Sequence, residues 1–165
     1  MIKFIKMLNR KTLKIDIRLY FLVKLYFFYI VLWNRHSFFK NFFKYKNLSK
    51  SQIYQDILAI TLNKNSKKNY FVEFGAGDGK KFSNTYILEK NFGWNGLLVE
   101  PAKSLYKKLL KNRSSKISNL LLDNLDNKKK FFYEADDPYL SSLENNYKSR
   151  SKYFIKTISL NTLLK

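Results

Sequence analysis

The chain has 165 residues, 45% hydrophobic and 18% aromatic, with 32 Lys and Arg against 12 Asp and Glu and a formal net charge of +20. That is enough apolar material for one cored domain, which excludes wholesale disorder. No cysteine and a single histidine, His36, exclude a disulfide framework, a thiolate zinc site and a histidine-rich metal centre.

So basic a chain suits a polyanionic partner: nucleic acid, an anionic membrane or a glycan. Its basic residues are 27 Lys and only 5 Arg, alongside abundant Asn, Ile, Phe and Tyr. AT-rich codons encode that set, and phosphate and base readers favour the planar fork of Arg. The charge is also uneven. Residues 1–50 carry twelve Lys and Arg against Asp16, a net of +11. Residues 70–100 carry three lysines against four acids, a net of −1. The basic excess avoids the most ordered-looking stretch, so nucleic acid is the less favoured partner.

Residues 19–33 (LYFLVKLYFFYIVLW) are apolar apart from Lys24. A spanning helix needs about 20 such residues, so the run is short. Trp33 and the tyrosines suit a membrane interface, with Lys24 snorkelling from near one end. The long basic leader and the lack of a small-residue cleavage site argue against a cleaved signal peptide. Three placements stay open: a helix lying on a membrane, a helix packed on protein, and a true span. Residues 34–50 (NRHSFFKNFFKYKNLSK) continue with aromatic pairs between lysines. Such interleaving serves single-stranded nucleic acid or an anionic headgroup layer. Contiguity with the apolar run favours the membrane, through residues 19–46. Residues 1–48 are accordingly read as a helical arm and 49–165 as the domain.

Ser51 is placed to cap a helix that runs through Leu62, with Ile53, Ile57, Ile60 and Leu58 on its inward side. Residues 63–69 are polar and read as a loop. Residues 70–74 (YFVEF) form a short buried strand that runs into Gly75-Ala76-Gly77-Asp78-Gly79. Ser83, Asn84 and Thr85 open a helix that closes near Gly93, and residues 97–101 (LLVEP) form a second strand. About eleven helical residues rise about 16 Å, which matches a strand of about five and returns the chain parallel to the first strand. Glu100 then stands at the carboxyl end of the second strand, beside the glycine loop, at the edge where open α/β sheets bind ligands.

The phosphate-loop pattern fails because Lys81 follows Gly79-Lys80 and Phe74 replaces the upstream glycine. The dinucleotide fingerprint fails because Lys80 stands where its third glycine belongs. What remains is E-x-G-x-G-x-G with an acid closing the second strand. Such glycines admit a nucleoside to the backbone, and Glu100 can accept both ribose hydroxyls. Glu73 is placed to organise the loop or meet an ammonium group through water. This pattern suits S-adenosylmethionine, which has a ribose and an ammonium but no pyrophosphate. An ordinary βαβ unit with a glycine turn is the plainer alternative.

The blocks SQIYQD, FVEFGAGDG, SNTYILEK, GWNGLLVEP and Asn112-Arg113 resemble the FkbM-type S-adenosylmethionine-dependent methyltransferases, over residues 51 to about 165. The resemblance implies a Rossmann-like methyltransferase fold, of α/β class. It implies methylation of a hydroxyl on a glycan or a secondary metabolite. By the same resemblance Gln52, Asp56, Glu73, Gly75, Ala76, Gly77, Gly79, Asn84 and Glu100 surround the cofactor, with the helix start at 83–85 near its carboxylate. Residues 117–122 correspond to a third strand, with Asp123 near the adenine, and 131–133 to another strand before a helix-capable 139–150. Residues 156–164 resemble the stretch before the family's fourth strand, so the match stops at Lys165. An unpaired first strand would expose an apolar edge open to association. No catalytic base stands out: His36 lies outside the matched blocks, and Asp78 serves the loop. The expected setting is cytoplasmic, with membrane contact through the arm. The alternatives are an inactive methyltransferase fragment, or a membrane-surface or nucleic-acid-binding protein acting through the arm.

Overall fold

The computed structural model describes residues 22, 25–26, 28–30, 32–33, 35–63 and 69–165. The basic leader, Lys24 and most of the 63–69 loop lie outside the described residues. The chain divides at Lys40/Asn41 into two units.

In the first unit the described residues between 22 and 33 are helical. Helix α1 (Arg35–Tyr45) follows, with Phe38 buried and Phe39 exposed. Among the described residues no helix is long and apolar enough to cross a membrane.

The second unit holds the end of α1 through Asn41 Nδ2, which donates to Thr61 Oγ1, and through edge-on contacts of Phe42 with Tyr54 and Tyr45 with Phe92. Helix α2 (Gln55–Leu62) buries Ile57 and Ile60, as their spacing predicts, but Ile53 is exposed. The helix starts three residues later than the cap rule suggests. Ser51 and Ser49 both donate to Asp56 Oδ1 instead of capping backbone, and Tyr54 enters the helix with φ 62°.

Strand β1 (Tyr70–Phe74), helix α3 (Tyr86–Phe92) and strand β2 (Asn95–Val99) then form the expected β–loop–α–β unit, with β1 and β2 parallel. Gly93 ends α3 with φ +65°, a left-handed turn that costs glycine little. Helix α4 (Lys103–Asn112) leads to β3 (Lys116–Ser118), which joins β2 in parallel to give the order β1-β2-β3. A parallel sheet with interleaved helices is a Rossmann-like architecture. One face of it packs Phe71 and Leu98 against Ile60, Ile87 and Leu109. Each such buried side chain contributes about 1.5–3 kcal/mol. Gly96 faces Phe71 in the register, and the Phe71 ring fills the space a Cβ would need there.

The expected third strand is in fact two. Asn119 breaks it by donating to the carbonyls of Glu100 and Pro101, after which β4 (Leu121–Leu122) pairs with a different sheet. That sheet, order β4-β6-β5, contains β5 (Lys129–Ala135) and the ten-residue β6 (Ser149–Ile158), antiparallel to each other. Leu122 and Ile158, with Leu163 of the short α5 (Leu160–Leu163), cover Leu97 and Val99 on the second face of β2. Residues 139–150 form no α-helix. A 3-10 turn, Pro138–Leu140, is capped by Asp137, and Ser142 and Asn146 bond locally around Glu144, which competes with a helix ladder. Among the described residues β1 pairs with β2 alone, and Tyr70, Val72 and Phe74 on its second face are exposed.

Candidate functional site

The carboxyl ends of β1 and β2 bring the glycine loop and Glu100 together. Phe74 and Val99 are register partners, so the residues after them emerge side by side. Ala76 N–H donates to the Val99 carbonyl, and Gly77 N–H donates to Glu100 Oε2 at 2.7 Å. The other oxygen, Oε1, accepts from Ala102 N–H at the start of α4. Glu100 is only 4% exposed. Burial pushes its pKa up to about 7 against the pull of those two N–H donors, and the charge of Glu134 adds to the rise.

Gly75, Gly77 and Gly79 have φ of +64°, +60° and +77°, a region side chains other than glycine's rarely adopt. The space beside each differs. Nothing lies near a Cβ position on Gly75. At Gly77 the Tyr139 Cε1 atom lies 2.7 Å from that position, and at Gly79 Leu109 and Arg113 fill it. Close approach to the second and third glycines is therefore made by the chain's own side chains. Asp78 Oδ1 accepts from Lys80 N–H and Lys81 N–H and pins the rest of the loop.

Glu73 organises the segment that leads into α3. Its carboxylate accepts from Ser83 Oγ, Thr85 Oγ1 and Asn84 N–H. The Ser83 and Thr85 hydroxyls and the Asn84 N–H, just ahead of α3, are thus engaged within the chain. Arg113, with a fully buried side chain, completes the network. It pairs with Glu89 at 2.9 Å, approaches Glu73 at 3.8 Å, and donates to Gly79 O, Ser83 Oγ and Thr85 Oγ1. Burial pushes Glu89 up, but Ser115, Ser114 N–H and Arg113 more than offset this and its pKa is lowered.

The remaining predicted residues lie in different settings. Asp56 is fully buried at the start of α2, Oδ1 accepting from Ser49, Ser51 and Ile57 N–H, while Oδ2 has no partner among the described residues. Gln52 and the Asn84 side chain are exposed, and Ala76 is buried. Asp123 sits in an ion pair with Lys130 beyond β4. His36 is exposed on α1.

Three residues of the second sheet and its turn reach this edge without any signal in the sequence that marks them. Glu134 Oε1 accepts from Ser104 N–H at 3.3 Å, and the Tyr153 hydroxyl accepts from Lys103 N–H and lies 3.0 Å from Glu134 Oε2. With Glu100 on Ala102 N–H, three successive donors at the start of α4 meet side-chain oxygens. Burial and the Glu134 charge raise the Tyr153 pKa. Tyr139 lies against Gly77, edge-on to Phe82, with Lys81 Nζ 5.1 Å from its ring centroid. Burial, with Asp78 beside it, pushes the Tyr139 hydroxyl up to about 12. Phe82 itself has φ 63°, a strained backbone for an aromatic residue, and is half-exposed. Among the described residues no group of three His, Cys, Asp or Glu is arranged to hold a metal ion.

Comparison of the chain with protein-family models, curated proteins and solved structures finds no match.

Proposed function

We propose that residues 49–165 bind S-adenosylmethionine at the carboxyl edge of β1 and β2, as the cofactor module of a methyltransferase acting on a hydroxyl of a glycan or small molecule. The observation that carries this reading is the 2.7 Å bond from Gly77 N–H to Glu100, which joins a glycine loop and an acid at adjacent parallel strand ends. The ordered blocks that resemble FkbM-type enzymes add to it and favour S-adenosylmethionine over another nucleoside ligand. The fit is good at Gly75, whose Cβ side is open. At Glu100 each carboxylate oxygen accepts two bonds and only one is used, but the residue is only 4% exposed, so a ribose reaches it only if the covering side chains shift. The fit is incomplete at Gly77, where Tyr139 occupies the cradle. The bound cofactor supplies an electrophilic methyl group on a sulfonium. This chain's part is to hold it, with Gly75 giving backbone access and Glu100 accepting ribose hydroxyls.

A second reading rests on Tyr139, Leu109 and Arg113: these glycines serve packing alone, and the unit binds no nucleoside. Titration calorimetry of S-adenosylmethionine into the chain and into Gly75→Asn separates the two. Asparagine tolerates the left-handed backbone and fills open space without displacing a contact. Binding to the parent that weakens at least about tenfold in the variant, a loss of about 1.4 kcal/mol, supports the cofactor reading. Absence of heat with the parent establishes the packing reading.

A further inference from the structure

The described residues between 22 and 33 present large apolar side chains to solvent. Leu22, Leu25, Tyr26, Tyr29 and Trp33 follow the spacing i, i+3, i+4, i+7, i+11 of one helical face, and their exposure runs from 58% to 78%. Phe28 and Leu32 widen the stripe. In the same unit Phe39 of α1 is exposed and is followed by Lys40. Phe38, on another side of α1, is buried. No acid occurs between residues 17 and 55.

An exposed aromatic and aliphatic stripe with only positive charge along it fits one surface. A second copy of the chain would bring two such basic segments together. A nucleic acid would stack on the aromatics but leave Leu22, Leu25 and Leu32 wet. A spanning helix would need greater apolar length than any helix among the described residues has. A bilayer interface with anionic headgroups satisfies both the stripe and the charge.

We propose that this segment is an interfacial anchor lying in the plane of an anionic lipid bilayer. Leu22, Leu25, Tyr26, Tyr29 and Trp33 sit at the acyl boundary, and Arg35 and Lys40 of the same unit meet the headgroup phosphates. This inference is independent of the cofactor reading.

The test uses the full 165-residue chain and vesicles of phosphatidylcholine with or without about one-third phosphatidylserine. Co-sedimentation is expected with the anionic vesicles, weakening as salt is raised. Leu25→Asp with Tyr29→Asp is expected to reduce binding by at least about tenfold. Both residues are exposed, so the fold tolerates the change, and circular dichroism checks it. A Trp94→Phe variant leaves Trp33 as the sole tryptophan, and its emission should shift to the blue on anionic vesicles. Three outcomes overturn the proposal: no preference for anionic vesicles, unchanged binding by the double variant, or a blue shift of Trp33 produced without lipid by self-association or by an RNA oligonucleotide.

Discussion

Glu100 provides the sharpest test of the site's electrostatics. Its carboxyl is held at about 7 against an ordinary 4.5. That difference corresponds to about 3 kcal/mol between the two protonation states. The folded-state pKa lies above the unfolded one, so protonation favours the fold. The stabilisation is complete below about pH 4.5 and is lost as pH rises through about 7. Glu100→Gln removes the titration while keeping the size and one acceptor. Urea unfolding followed by circular dichroism from about pH 5 to about pH 8 should therefore show the parent losing about 2.5 kcal/mol relative to the variant. Glu89 does not blur the result. Its pKa is lowered, so its contribution is present above 4.5 and lost only as pH falls below that. Parallel pH profiles for parent and variant would refute the claim that burial, rather than the two N–H donors, governs Glu100.

Arg113→Met should cost about 3–5 kcal/mol in urea unfolding, because it leaves Glu89 and Glu73 without their buried cation. Arg113→Lys should rescue little, since one ammonium cannot replace a fork that reaches Gly79, Ser83, Thr85 and Glu89 together, and a loss below about 1 kcal/mol in either variant would sink this account. If the cofactor reading holds, Tyr139→Ala should tighten S-adenosylmethionine binding by about fivefold, since an aromatic contact of about 1 kcal/mol no longer has to be displaced from Gly77. Weaker binding in calorimetry would instead make Tyr139 a ligand contact.

The β1–loop–α3–β2 unit is legible in the sequence because its signals are local. Phe71, Ile87, Leu88 and Leu98 fall on buried positions of short regular elements, and glycines punctuate them. The meeting of Glu100 with the loop follows from parallel strand ends. What escapes such reading depends on distance or on weak local signal. Helix α4 has an Ala102 N-cap without a side-chain hydrogen bond, although Leu105 and Leu109, four apart and buried, mark it. Glu134 and Tyr153 reach α4 from 30 and 50 residues away, which no spacing rule connects. Residues 139–150 are helix-capable in composition, but Asp137, Ser142 and Asn146 spend their side chains on nearby turns. The glycines announce backbone turns, yet nothing local reveals that Tyr139 and Leu109 occupy the space beside two of them.

Glu100 does more than close a strand. It holds Gly77 with one oxygen and the first turn of α4 with the other, while Glu134 and Tyr153 of the second sheet take the next two donors of the same turn. The glycine loop, α4 and the antiparallel sheet thus converge on residues 100–104. A ligand that competes for Glu100 must leave Gly77 N–H or Ala102 N–H in need of a new acceptor, and a buried donor left unpaired costs about 1–3 kcal/mol. A ligand that uses the free lone pairs instead keeps both bonds and adds charge-assisted ones. If a nucleoside binds here, only the second mode keeps the junction intact, which would favour groups that donate, such as the paired hydroxyls of a ribose, over groups that only accept. On the cofactor reading, the acid would disfavour phosphate at this edge, because an ionised phosphate only accepts hydrogen bonds.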